Sequence, residues 1–368
     1  MPRIVKRYVE DICSMIQFLT AATEIDAWDD FVENHPQGSH LIYSDWLQSY
    51  HAYGFRTEIA VSKADDVIQG GFGAVIATVL GFRFYIIPYG PIGTSPDVLR
   101  ECLHAAEARA TAVGACMIQF TIPMGDPRCR PMFPLQDQLI PNDFRSGNAF
   151  KYVYSSPGFN WIDLAQHQTI ESLIESFPSA SFRRDVRSGM RKNEQFSFAV
   201  TPEEVAVAYA LCQENADENG YQIRSWDAIG TVLLSLIRKD RLKLITTSSA
   251  GQLKGAGLFL KAGGYYTFVM GGTKKEKPTR HTGHFLQIKA LEMAFHQGMD
   301  GYNISLGGSE GVRAFKGSFG TVAYPFERGT YHKVLRPVQF KIFRFADVRM
   351  KPYKSSIAKV LKWFRGRK

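Results

Sequence analysis

No apolar run in this 368-residue chain approaches the roughly 20 residues of a membrane-spanning helix, so the sequence offers no candidate span. Cysteine is scarce and carries no pairing pattern. Cys13, Cys102, Cys116, Cys129 and Cys212 are odd in number, scattered and free of C-x-x-C spacing, which argues against a disulfide framework and suits free thiols in a reducing cytosol. Acids are in deficit: 35 Asp and Glu stand against 44 Lys and Arg, a formal charge of +9. That excess should draw anions, whether RNA, phosphorylated substrates or an acidic membrane surface. There is no nucleophile elbow, P-loop or paired-carboxylate signature. The histidines (His35, His40, His51, His281, His284, His296) show no metal spacing; His281 and His284 stand at i, i+3 but lack a third candidate ligand, so no metal is expected. The opening "MPRIVKRYVEDICSMI" is charged throughout and does not read as a secretory signal, so the expected location is cytoplasmic, at most peripheral at the inner face of the membrane.

What is present is ample material for packed cores, with 45% apolar and 13% aromatic residues over a length that suits two domains. Helical spacing of Ile25, Trp28, Phe31 and Val32 predicts a helix ended by Pro36, and a second helix is expected from an N-cap at Ser44 to Gly54. "TEIAVSKA" and "GGFGAVIATVLGFRFYIIPYGPIG" read as strands, the latter cut into a hairpin. "SPDVLRECLHAAEARATAVG" is a helix closed by Gly114, and "ACMIQFTIP" the buried strand after it. The second half repeats this order. The meander "LKLITTSSAGQLKGAGLFLKAGGYYTFVMGGT" leads to the helix "TGHFLQIKALEMAFHQG" and the strand "MDGYNISLGG". One α/β unit occurring twice is the expected architecture, with boundaries at 1–158, 159–335 and a basic C-terminal tail at 336–368. Within that tail Ile357, Val360, Leu361 and Phe364 alternate with Lys359, Lys362 and Arg365, a basic amphipathic pattern suited to anionic lipid or RNA.

Three stretches could carry chemistry. "GGSEGVRAFKGSFG" (307–320) has five glycines in fourteen positions and is expected to be a loosened turn, with Phe315 and Phe319 around a single lysine, Lys316. "SASFRRDVRSGMRKNEQ" places Arg183, Arg187 and Arg191 on one helix face, offset locally only by Asp185, which suits phosphate oxygens. Tyr265 and Tyr266 end the meander's middle turn, where alternation is expected to send one inward and one toward a cleft.

In the order of its landmarks, "HPQGSHLIYSDWLQSYHAYG", "YIIPYGPIG", "FRRDVRSGMRKNEQFSF", "YYTFVMGGT", "LQIKALEMAFHQGMDGYNISLGG" and "FKGSFG", the chain resembles the FemABX family and the wider FemAB-like branch of the GNAT superfamily, over about residues 25 to 330. The resemblance implies an α/β (α+β) fold of two tandem GNAT-like domains, each a mixed, mainly antiparallel sheet flanked by helices, with the active site in the second. It implies transfer of an aminoacyl group from aminoacyl-tRNA to an amine of a peptidoglycan or other phosphorylated or lipid-linked envelope precursor, with no tightly bound cofactor. It implies catalytic roles for Phe315 and Lys316, and substrate contacts for the arginines of the basic helix and for Tyr266. "RHTGHF" matches the GNAT turn [RQ]-x-x-G-x-[GA] at Arg280 and Gly283, which would hold the pyrophosphate of acyl-CoA; Phe285 stands where that pattern has a small residue. An acyl-CoA-dependent N-acyltransferase acting on an amino sugar or lipid-linked glycan is therefore the alternative, and a non-catalytic envelope assembly factor a third. Two departures from the family stand out: no segment is long enough for the coiled-coil arm of several relatives, and "WLQSYHAYG" lacks the lysine expected shortly after the first-domain tryptophan. The sequence names no general base, Glu310 being only near Lys316 in sequence.

Overall fold

The computed structural model describes residues 16–122, 140–192, 195–326 and 329–350. Cys13, Cys129 and the tail beyond Met350 lie outside the described residues. The first unit opens with β1 (Ile16–Phe18) and α1 (Ala22–Asn34), followed by a short 3-10 turn, the brief helix α2 (Ser44–Gln48) and a second 3-10 turn that ends at Gly54. The expected single helix from Ser44 to Gly54 is thus broken, and Ser44 does not cap it. Its backbone N–H and hydroxyl both donate to buried Asp29 instead, at 2.8 and 2.7 Å.

The meander β2 (Arg56–Ala64), β3 (Val67–Val79) and β4 (Phe82–Ile87), with the two-residue β5 (Ile92–Gly93), leads into α3 (Pro96–Ala112) and β6 (Met117–Thr121), which pairs parallel to β4. After β7 (Arg145–Ser146) the second unit begins with β8 (Gly158–Asp163), α4 (Ile170–Ser176), α5 (Ala180–Lys192), β9 (Gln195–Phe198), α6 (Pro202–Glu218) and α7 (Trp226–Arg238). Its own meander, β10 (Leu242–Ser249), β11 (Gln252–Ala262) and β12 (Tyr265–Thr273), runs into α8 (Thr282–His296) and then β13 (Gly301–Asn303), again parallel to the last meander strand. The repeated unit is therefore an antiparallel meander, a crossover helix and a parallel strand. The chain closes with α9 (Glu310–Gly317), β14 (Val322–Pro325), β15 (Thr330–Val334) and α10 (Pro337–Met350).

The strands form two sheets, ordered β1-β2-β3-β4-β6-β15-β7 and β14-β8-β13-β12-β11-β10-β9. The expected boundary at 335 differs from this topology. β15 crosses back to pair antiparallel with β6 of the first sheet, and α10 follows it, with Phe343 packed 4.5 Å from Phe84.

Three apolar layers result. One lies between the first sheet and α3, and one between the second sheet and α4, α5, α8 and α9. The largest is shared by both units, with Trp28, Tyr43, Phe84 and Ile86 from the first and Trp161, Leu244, Leu258 and Tyr265 from the second. Arg241 pins that junction. It is 5% exposed and its guanidinium reaches Asp29, Asp30 and Glu33 at 3.3, 2.6 and 3.0 Å.

Candidate active site

Glu310–Gly317 is a helix, which corrects the expectation of a loosened turn. Gly311 and Gly317 face open space, so they cost helix propensity without breaking the ladder. Gly308 and Gly320 need their freedom: their φ angles are 127° and 71°, and a Cβ on Gly308 would stand 2.6 Å from Val312. The helix turns Phe315, Lys316 and Phe319 toward the protein. Phe319 packs 4.8 Å from Phe182 and 5.4 Å from Phe177, and Phe315 5.0 Å from His284, so the lysine enters beside an aromatic wall.

Lys316 is 5% exposed. Its Nζ donates to the Ser305 carbonyl at 3.1 Å, the Ser305 hydroxyl at 2.8 Å and the Gly307 carbonyl at 2.8 Å, and lies 6.0 Å from the Phe268 ring centroid. All three acceptors are neutral, so burial dominates and lowers its pKa to about 8. Ser305 itself sits at φ 63°, a left-handed backbone rare for serine, with its N–H held by Asn303 Oδ1 at 3.0 Å. Asn303 Oδ1 also accepts from the Asn160 N–H at 3.0 Å. Ser305 and Asn303 were missed in the sequence, where "NISLGG" reads only as a strand running into glycines. The sequence carries no signal for them, since Leu306 separates Ser305 from the glycine pair.

The basic helix is less basic than its sequence. Arg187 pairs with Glu171 at 2.8 Å and with Glu175, and Arg183 lies 3.7 Å from Glu175 while donating to the Phe177 carbonyl. The neutralising acids come from α4, so the reading that only Asp185 offsets these arginines is corrected. Arg191 is exposed and has no acidic partner among the described residues. Gly189 lets α5 approach α8 closely: a Cβ there would meet the His281 carbonyl at 2.9 Å.

At the start of α8, His281 occupies a left-handed N-cap position with φ 54° and supplies no side-chain cap; the first turn holds no acid. Phe315 covers this turn, its ring 3.8 Å from where a Gly283 Cβ would lie. Phe285, expected to obstruct phosphate approach, is 2% exposed and turned into the protein; the aromatic over the turn is Phe315. Arg280 donates to the Lys192 carbonyl and Lys192 to the Thr279 carbonyl, so the ends of α5 and of the segment before α8 are tied into one rim.

Asp185 supplies the third group that His281 and His284 lack in sequence. Its Oδ1 is 4.0 Å from His281 Nε2, and the three ligand-type atoms lie within 4.8 Å of one another. Burial, then the neighbouring His281, depresses the His284 pKa to about 4, so its ring is neutral at pH 7. The positive end of α8 and Lys192 lie at the same corner, with Glu276 3.8 Å from Arg280.

Tyr266 is elsewhere. Both tyrosines of the pair are buried, because the second sheet is covered on both faces: Tyr265 in the layer shared by the units, Tyr266 in the layer under α8. The Tyr266 hydroxyl donates to Gln297 Oε1 at 2.9 Å, at the far end of α8. A helix of 15 residues is roughly 22 Å long, so Tyr266 does not share the corner with Gly283. The structure thus brings Phe315 over Gly283 and ties Arg280 to the end of α5, leaves Arg191 exposed at that end, holds Lys316 on Ser305 and Gly307, ties Arg183 and Arg187 to α4, and leaves Tyr266 in the core. Among the described residues Cys102, Cys116 and Cys212 are free and buried, with thiol pKa values raised by burial.

Residues 180–316 match the family model described as an acetyltransferase (GNAT) domain, a span that runs from the first residue of α5 to Lys316. No curated protein sequence matches the chain. Among solved structures, FemX superposes with a TM-score of 0.74 at 14% identity, over 89% of this chain and 99% of FemX. A conserved protein of unknown function from Bacteroides thetaiotaomicron gives 0.56 at 13% identity, over 86% and 99% of the two chains. The C-terminal domain of a putative lysylphosphatidylglycerol synthetase from Agrobacterium fabrum gives 0.53 at 13% identity, over 89% and 96%. The second unit therefore carries a GNAT domain, and the two-unit chain as a whole shares its fold with FemX.

Proposed function

We propose that this GNAT-fold acyltransferase moves an aminoacyl group from aminoacyl-tRNA onto an amine of a phosphorylated or lipid-linked cell-envelope precursor. The observation that carries the reading is the buried Lys316 ammonium, held by Ser305 and Gly307 at the end of the GNAT-matched span. Attack of the amine on the ester carbonyl forms the C–N bond and puts negative charge on the carbonyl oxygen. A cation fixed beside that oxygen meets charge the ground state lacks, an effect worth a few kcal/mol. The Ser305 hydroxyl is the one acceptor on Lys316 that can rotate away, so the substrate oxygen takes its place. Collapse of the tetrahedral adduct breaks the C–O bond, and the proton lost by the amine ends on the departing ribose hydroxyl.

Burial lowers the Lys316 pKa to about 8, which still leaves the charged form favoured at pH 7. Phe315 and Phe319 shield the site from water, which limits hydrolysis of the ester. Arg191, exposed at the end of α5, suits a phosphate oxygen of either substrate. The Phe315 ring over Gly283 favours tRNA over acyl-CoA as donor, because a pyrophosphate cradled at that turn would have to displace it. The similarity to FemX and to a lysylphosphatidylglycerol synthetase domain supports an aminoacyl donor.

The test is transfer to an envelope precursor pool with and without ribonuclease. Loss of transfer on ribonuclease treatment supports charged tRNA. Transfer that survives ribonuclease and follows added acyl-CoA replaces the donor in this reading, and no transfer from either donor refutes it.

A further inference from the structure

The C-terminal helix α10 has two apolar faces where a surface helix needs one. Phe343, 2% exposed, points inward onto Phe84 and Phe150, and Phe340 packs beside it. On the opposite side Val338, Ile342, Phe345 and Val348 are 71, 53, 62 and 58% exposed. Their spacing of four, three and three places them on one stripe. An exposed apolar stripe of this kind marks an interaction surface.

Its charge says what fits. Lys341 and Arg349 rise within the stripe and Arg344 flanks it, and none has an acidic partner among the described residues. The helix's one acid, Asp347, accepts from the Tyr152 hydroxyl. The polar flank of α10 walls a cavity of about 610 Å³, whose rim also carries Arg145, His332 and Lys333. Lys333 lies between Glu107 and Asp143, which leaves one acid in surplus; Arg145, Lys341 and Arg344 have no acidic partner among the described residues, so the mouth keeps a net positive charge over an apolar floor that includes Phe340. The chain then continues through 351–368 with seven Lys and Arg and no Asp or Glu.

We infer that α10 docks on an anionic phospholipid bilayer, with the Val338–Val348 stripe among the upper acyl chains and a lipid phosphate at the cavity mouth between Arg145, Lys341 and Arg344. Apolar burial combined with cations at its margin is how an in-plane helix holds an acidic membrane. A second copy of this face would set like charges opposite one another, as would residues 351–368 folded back on it. RNA satisfies the cations but leaves Ile342 and Phe345 in water. The inference deepens the proposed function, since a lipid-linked acceptor is met at such a surface, but its test reads binding and not transfer, so the two can fail separately.

The test is co-sedimentation of the full chain with vesicles of phosphatidylcholine alone and of phosphatidylcholine with phosphatidylglycerol, together with tryptophan emission of a Phe345→Trp variant. Binding is expected only to the anionic vesicles, weakening with salt and accompanied by a blue shift of the indole. Ile342→Asp with Phe345→Asp, and separately Lys341→Glu with Arg344→Glu, should each weaken it at least about tenfold. These are surface changes that leave the inner face of α10 intact. Failure to bind anionic vesicles overturns the proposal, and so does binding that ignores the aspartate pair, which would assign it to charge alone. A dimer in solution that the aspartate pair dissociates would make a second copy the occupant, and displacement of vesicles by RNA at equal charge would make it RNA.

Discussion

The two crossover helices occupy equivalent places in their units and begin in opposite ways. α3 starts with Ser95, whose hydroxyl accepts from the Val98 N–H at 3.3 Å, then Pro96 at the first turn, where no N–H is needed, and Asp97 against the positive end of the dipole. α8 starts on the left-handed His281, with no side-chain cap and no acid in its first turn. The first unit satisfies its own helix end with a side-chain cap, while the second has none and packs Phe315 over the turn. A duplicated fold therefore need not duplicate its local chemistry: one copy closes the position with a side-chain cap and an acid, and the other covers it with the Phe315 ring.

The sharpest way to break this comparison is at Lys316. Lys316→Met should lower kcat by roughly 10²–10³-fold, the scale of losing one oxyanion donor, while cooperative thermal unfolding persists. Asp97→Asn in the first unit should leave kcat unchanged, and equal losses in the two variants would abolish the asymmetry. The same lysine sets a pH dependence. Transfer should decline above pH 8 as the ammonium deprotonates. Because the folded pKa is depressed, the unfolded chain binds more protons between about 8 and the free-lysine value near 10.4, so stability rises with pH across that window. Urea titrations from pH 8 to 10 should show that rise in the parent and not in Lys316→Met.

Next in size is the junction of the units. Arg241→Met leaves the fully buried Asp29 only Ser44 and the more distant Lys239, and should cost roughly 3 kcal/mol, read as a lowered urea midpoint. A small effect would mean that the units are held by apolar contact alone. Smaller is the contrast within the basic helix. Arg191→Ala should raise KM for a phosphorylated substrate by about tenfold, a single charge-assisted contact. Arg187→Ala should change it less, since Glu171 and Glu175 already neutralise that guanidinium. Smallest of all, Ser95→Ala should cost about 1 kcal/mol of stability, with no effect on transfer.

Much of the architecture was legible residue by residue. Helical spacing at Trp28 and Val32, turn residues between strands, glycines closing both crossover helices and the repeated meander–helix–strand order all report local preferences, and these act within a few residues of chain. The lysine between aromatics was visible too, but its setting was not. A count of five glycines says that the 307–320 segment is permissive, whereas packing of Phe315 and Phe319 against Phe182 decides that part of it is helical.

By itself, then, the sequence determined the two α/β units, the positive charge and the residue types at the candidate site. Only the tertiary structure decided that Lys316 is buried on Ser305, that Arg183 and Arg187 are spoken for by α4, that Tyr266 belongs to the core, that Asp185 joins the two histidines, and that β15 returns to the first sheet. The physical reason is the same in each case. Burial, ion pairing and strand pairing depend on groups brought from distant positions in the chain, and local pattern carries no record of which distant group arrives.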